Sequence, residues 1–374
     1  MNIPSPSSSP TLPAASVRPS WFLMSPAWDF LLLGPGVTVL VSAAFLMLMA
    51  TGHGAHAALL ATALSILVVG PHYAATYRRA YTSREIIRAH PLVTIVVPVV
   101  LAAAALAALR FPTTVAPAYF LIYVVWSGYH YSGQSLGLAM IYPLRQGARL
   151  APDEKRLLAV PLHVSWLLSL LGLLRVDGSA RNPAYQIVRG TFPGVHLPGW
   201  ALAVGVAALV ASLSSVALLA ARRRRRGLPL PWPTYAIVAT QVLWFGWALF
   251  NPFFNIVLVP VFHGLQYLAL TSWHNAKERR TQATPASPRA FAAYVLTVLL
   301  LGIVINPGLF ALAGGLFGDA AIISATVITF VNLHHFLLDG RIWRMREPKV
   351  VQSFVETASE SPSAAPPSPA PPAL

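Results

Sequence analysis

Eleven histidines and no cysteine stand in this 374-residue chain. His53, His56 and His196 fall in polar linkers and His90 in a basic one. The other seven, His72, His130, His163, His263, His274, His334 and His335, lie within long apolar runs or at their ends. Imidazole is the commonest metal ligand, and an ionisable group inside an apolar span marks a functional site by default. The absence of cysteine excludes disulfides, thiolate-held iron–sulfur clusters, thiolate-bound haem and cysteine nucleophiles. A thiolate-free, imidazole-rich set suits Fe, Cu, Zn or Mn. Carboxylates offer no alternative. Asp29 opens the first apolar run, Asp339 closes the last, and every other Asp and Glu lies in a linker or tail. A Glu-rich di-iron centre or a paired-carboxylate acid–base site therefore cannot be built inside the runs.

The company of the histidines sorts them. In Ser127–Gln134, His130 and Gln134 stand one helical turn apart on one face, while Gly128 and Gly133 allow close helix approach. His263 shares a face with Gln266, and His274 returns to it three turns later. Asn332, His335 and Asp339 form one stripe, in which Asp339 is placed to accept a ring N–H of His335, the usual outer partner of a metal-bound imidazole. His72 sits in Pro71-His72-Tyr73, within a turn of Thr76. At ~1.5 Å per residue, His72 lies ~9 Å from Arg78 and His335 ~9 Å from Arg341, so these groups share one half of the membrane. The expected ligands are His72, His130, His263 and His335, with His274 and His334 as further candidates. Asp339, Gln134, Gln266 and Asn332 would support them, and Tyr73, Tyr129, Tyr131 and Tyr267 would line a substrate groove. Blander readings compete. A helix-to-helix hydrogen bond suffices for His163, and an interfacial position serves His274 equally well. His334 lies ~100° around the helix from His335, so one of that pair points inward.

The elements that must position these groups are transmembrane helices. The chain is 56% hydrophobic and 10% charged, with a mean hydropathy of +0.63; a soluble globular protein carries about 25% charged residues. Its apolar runs have the length of bilayer-crossing helices. Ten are expected, near 28–50, 56–77, 91–109, 115–141, 157–174, 200–221, 233–250, 253–273, 290–312 and 320–340. The expected fold is an all-α polytopic bundle over residues 21–350, between a disordered Ser/Pro-rich tail (1–20) and a disordered Pro/Ala-rich tail (351–374). Asn251-Pro252 reads as a tight hairpin and Asn306-Pro307 as a kink. With both termini in the cytoplasm, 22 of the 26 Lys and Arg fall on the cytoplasmic side, as the positive-inside rule requires. The net charge of +15, the Arg222–Arg226 run included, is then topogenic and implies no nucleic acid. The expected location is a bacterial-type inner membrane.

One motif carries a family resemblance. Val69-Gly70-Pro71-His72-Tyr73-Ala74-Ala75-Thr76 resembles the Gly-x-Pro-His-Gly-Ala-x-Asp pattern of the Brp/Blh membrane β-carotene dioxygenases. It has a Gly ahead of the Pro-His pair and an Ala after it, with Tyr73 and Thr76 in place of the second Gly and the Asp. The resemblance implies a polytopic, histidine-liganded non-haem iron enzyme that cleaves a carotenoid. The His-boxes of membrane fatty-acid desaturases, HxxxH and HxxHH, do not occur.

The expected function is a membrane metalloenzyme, a non-haem iron oxygenase or oxidoreductase acting on a carotenoid or lipid dissolved in the bilayer. A redox partner would dock on the cytoplasmic face. Two alternatives stand beside it: a transporter or channel with a His/Gln-lined path, and a b-type protein with haem between two histidines. Zinc in place of iron is a further option.

Overall fold

The computed structural model describes residues 21–174, 198–250, 254–281, 288–305, 320–345 and 347–355. These residues form helices joined by short turns, with no strand among them. We number the long helices α1 (Gly36–Ala50), α2 (Gly54–Thr82), α3 (Leu92–Arg110), α4 (Val115–Arg145), α5 (Pro152–Leu174), α6 (Gly199–Arg225), α7 (Trp232–Phe250), α8 (Val259–Thr281), α9 (Pro288–Ile303), α10 (Ala320–Ile342) and α11 (Pro348–Val355). Where they are described, the ten apolar runs overlap α1 to α10 in turn. Among the described residues, six helices are long and apolar enough to cross a membrane. Pro26–Leu33 and Gly36–Ala50, bent by 44° at Gly34-Pro35, make a seventh if they are one span. This is the architecture of a multi-span membrane protein. Helix α4 is not among the six, although it has 31 residues. Ser127 to Gln134 lower its apolar character in the stretch that carries His130.

Proline sets a recurrent local feature. Among the described residues, four complete wide turns of π type stand at Asp29–Leu33, Ser65–Val69, Leu92–Val96 and Phe254–Leu258. Each ends two residues before a proline: Pro35, Pro71, Pro98 and Pro260. A proline ring lacks the N–H and clashes with the carbonyl four residues back, and widening the preceding turn relieves the clash. Two of these turns lead directly into His72 and His263. At the end of the bundle rich in arginine, α4 and α6 stop at Gly147 and Gly227, whose φ angles of 75° and 72° suit glycine. Ala148 N–H then bonds back to Pro143 at 2.9 Å, and Leu228 N–H to Arg223 at 3.0 Å.

Helices differ in how deeply they are buried. In α8 and α10, 56% and 61% of the apolar window is buried, against 17% in α3 and 22% in α6. The outer helices turn Leu40, Val99, Leu106, Val204, Val210 and Leu300 outward, as a lipid-facing surface does. The centre is α8 and α10 with the second half of α2, which touches both, and α4, which packs on α10. Close approach is set by small residues, though not all of those expected. Gly128 lies under Trp166 of α5, where an added Cβ would stand 2.0 Å from the indole. Gly133, expected to do the same, faces open space. Gly302 of α9 and Gly264 of α8 instead bring helices onto α2, and a Cβ on Gly302 would meet the backbone of Pro71 at 2.2 Å.

The tail expected from residue 351 starts instead inside α11, and Phe354 is buried. Its ring stacks on Trp273 at 5.8 Å and touches His274 and Trp343. Arg145 donates to the Phe354 carbonyl at 2.6 Å, and Lys277 donates to that of Ser353. Cations holding the last carbonyls of a helix stabilise its C-terminus. Residues 1–20, His196, the Asn251-Pro252 hairpin, the Asn306-Pro307 kink and 356–374 lie outside the described residues.

Candidate metal centre

Helices α2, α4, α8 and α10 bring His72, His130, His263 and His335 into one cluster. Ring centroids stand 4.2 Å apart for His72–His335, 4.9 Å for His72–His263 and 5.0 Å for His130–His263. The remaining measured separations are 5.1 Å for His130–His335 and 6.4 Å for His263–His335. His72, His263 and His335 are buried, and His130 is half-buried.

The cluster is polar and unsatisfied. Both ring nitrogens of His72, His263 and His335, and Nε2 of His130, are buried without a hydrogen-bond partner. The Val69 carbonyl lies near His72 but is not aligned as an acceptor. An unpaired buried polar group costs about 1–3 kcal/mol, and nearly all such groups in native proteins find partners. In a bilayer no water relieves the cost. Each neutral imidazole has one lone-pair nitrogen, so the four clustered rings offer up to four lone pairs that fit a bound cation. Two ligand sets have their donor atoms within 4.8 Å of one another: His72, His263 and His335, and His130, His335 and Asp339. Both use His335, and the second has the two-histidine, one-carboxylate composition of non-haem Fe(II) oxygenase sites.

The side chains expected to support the cluster make the following contacts. One Asp339 carboxylate oxygen (Oδ2) stands 3.3 Å from His335 Nε2, near enough for ionic attraction but not aligned as a hydrogen bond. Its other oxygen accepts from Tyr267 Oη at 2.9 Å and from Thr76 Oγ1 at 3.0 Å. The Trp343 indole N–H donates to Tyr267 Oη at 3.1 Å. Tyr73 Oη donates to Asn332 Oδ1 at 2.8 Å, and its ring lies 5.4 Å from that of His335. Gln134 Nε2 donates to the His263 carbonyl at 3.1 Å, and Gln266 donates to the Leu33 carbonyl. Phe336 stacks on His130 at 4.4 Å, and Tyr131 lies 4.4 Å from His263.

Several expected residues fall elsewhere. His274 lies apart from the cluster, in an ionic group with Arg79 at 3.2 Å and Glu278 at 3.4 Å. His334 is turned away, with Nε2 3.0 Å from the Val93 carbonyl and 3.4 Å from Tyr81 Oη. Neither is placed to join the four. Tyr129 is 52% exposed and packs on His163 and Trp166, so it does not line the centre. Tyr73 and Tyr267 are buried, and their hydroxyls are spent on Asn332 and Asp339. His163 Nδ1 bonds its own helix at the Ala159 carbonyl, 2.8 Å away. The sequence does not point to Thr76 as a partner of Asp339, or to Trp343 as a donor to Tyr267. Thr76 stands one turn beyond His72, and that spacing alone could have found it. No protein-family model, curated protein or solved structure matches this chain, and the centre is therefore read from its own chemistry.

Proposed function

We propose that this protein is an integral-membrane metalloenzyme, a non-haem iron oxygenase acting on an apolar molecule dissolved in the bilayer. The carrying observation is the set of four imidazoles brought together in the bundle with ring nitrogens that have no hydrogen-bond partner. His72, His130, His263 and His335 would hold the ion, and Asp339 would orient His335 or ligate directly. Iron in such a site supplies dioxygen activation. The chain's own groups do the rest. Asp339, fixed by Tyr267 and Thr76, holds the imidazole of His335 in place. Phe336, Tyr131 and Tyr73 surround the rings with apolar surface and exclude water. His130, Gly133 and Gly137 follow one another at helical spacing on α4, and both glycines face open space. That stripe gives a membrane-borne substrate a lateral approach to His130. The Pro71-His72 motif and its likeness to the β-carotene dioxygenases favour a carotenoid or a lipid chain.

The proposed topology has ten spans, with both termini in the cytoplasm of a bacterial-type inner membrane. The overlap of the ten apolar runs with helices and the one-sided basic residues support it. The electron donor would then dock on the basic face. Haem is disfavoured by ring packing: His72 and His130 each make edge contact with both His263 and His335, and the rings fill the slot a porphyrin needs.

Metal content and the visible spectrum of detergent-purified protein test this reading. Stoichiometric iron without a Soret band is the expected result, followed by oxygen-dependent turnover of carotenoid or lipid. A Soret band, or protein that folds fully and binds no metal, would overturn it.

A further inference from the structure

The arginine-rich end of the bundle contains a cavity of about 220 Å³ that the metal centre does not use. Its wall includes Arg78 and Arg79 of α2, Ser83, Thr271 and Asn275 of α8, and Tyr294 of α9. One water takes about 30 Å³ of liquid volume, so the space accommodates a phosphate group with hydration. Arginines at a membrane surface are ordinarily solvated and topogenic; these two are fixed. The Arg78 guanidinium lies 4.8 Å over the Tyr294 ring, and no described carboxylate is within ion-pair distance of it. Arg79 lies 4.3 Å over the Trp343 ring, and its Nε is buried without a hydrogen-bond partner. Ser83 Oγ accepts from Ile86 N–H at 3.3 Å and keeps its own hydrogen to donate. Glu278, the one carboxylate in the wall, is 3.8 Å from Arg79 and 3.4 Å from His274.

We infer that this cavity binds a phosphate-type anion, presented by a lipid headgroup or free in solution. Planar guanidinium forks match a multi-acceptor tetrahedral anion. Stacking on Tyr294 and Trp343 holds the forks in place, so little side-chain entropy is lost on binding. Arg78 lies six residues beyond His72, ~9 Å along the helix axis. The site is separate from the imidazoles and does not depend on which metal they hold.

The test is the melting temperature of the full chain in maltoside detergent, with three probes. These are dihexanoyl phosphatidic acid, dihexanoylglycerol with the same tails and no phosphate, and inorganic phosphate against chloride at matched ionic strength. A rise of about 2–4 °C is expected near saturation with a phosphate-bearing probe, and none with dihexanoylglycerol. A rise with phosphatidic acid alone assigns the anion to a lipid headgroup, and one with inorganic phosphate assigns it to the free ion. Arg78→Gln should remove the rise. Arg225→Gln, at an exposed position on α6, should keep it. Glu278→Gln should move the midpoint to lower probe concentration, which keeps the test open if Arg78→Gln does not fold. No rise with either phosphate probe, an equal rise with dihexanoylglycerol, an unchanged rise in Arg78→Gln, or an unmoved midpoint in Glu278→Gln would overturn the inference.

Discussion

Glu154 and the four clustered histidines are both buried polar sites, and the chain treats them in opposite ways. Glu154 accepts from Arg223 at 2.8 Å, Arg226 at 3.3 Å and Ala151 N–H at 3.0 Å. Arg223 spends its other nitrogens on the Ala148 and Leu228 carbonyls. Asp29 is served likewise by Leu23, Met24 and Tyr142. At Glu154 and Asp29 the chain supplies the partners itself. At His72, His130, His263 and His335 it supplies second-layer contacts, such as Asp339 to His335 and Gln134 to the His263 carbonyl, and leaves the nitrogens facing one another. The partner of the first kind of site is inside the sequence; the partner of the second is expected from outside it.

Removing one imidazole should separate the two kinds most sharply. His263→Ala should lower metal retention beyond the ~10–100-fold that an outer partner is worth, measured as metal per chain after gel filtration. Retention at the wild-type level would erase the contrast. The same assay on His274→Ala and His334→Ala should read as wild type. Glu154→Ala should do the reverse, since it strands Arg223. Breaking such a buried pair costs about 3–5 kcal/mol, visible as a lower melting temperature, while metal per folded chain stays constant. Asp339→Asn lies between, with metal affinity down ~10–100-fold by competition with a chelator, and Tyr267→Phe should follow it in direction with a smaller change. Gly302→Ala should cost about 1–3 kcal/mol through overpacking, because the obstacle is the Pro71 backbone and not a side chain that can swing away. Gly133→Ala, in open space, should leave stability within about 1 kcal/mol of wild type; a loss as large as that of Gly302→Ala would show that α4 is covered there.

Much of the centre is legible in the sequence because depth along a helix can be counted. The positions of His72, His130, His263 and His335 in their runs place them in one half of the bundle, and the four-residue step to Asp339 fixes its neighbour. Rotation about the helix is harder to read. His334 and His335 are adjacent in sequence, and only the contacts of α10 with α3 and α2 decide which faces the cluster. His274 shares a face with His263, yet Arg79 and Glu278 claim it, and their approach depends on how α2 crosses α8. Tyr129 sits beside His130 but faces outward. Gly302 lies in an unremarked apolar stretch, where no local signal tells that a backbone will press against it. Residues 351–355 read as the start of a low-complexity tail, and only the aromatic shelf of Trp273 and Trp343 gives Phe354 a reason to be helical. The fold class was legible because composition alone demands helices in a bilayer.

The wide turns before Pro71 and Pro260 bear on how the centre is aimed. An α-helix advances ~100° per residue, and a π turn holds one residue more than the α turn it replaces. Each such turn is therefore a phase shifter: it offsets the azimuth of everything beyond it by about one residue's rotation without lengthening the span by a full turn. Winding the same five residues, Ser65–Val69, as regular α-helix would swing the facing of His72 off the common axis by about one residue's rotation, although its height in the membrane would hardly change. Lateral convergence of the imidazoles thus depends on two small errors of winding, each held in place by a proline that cannot be unwound.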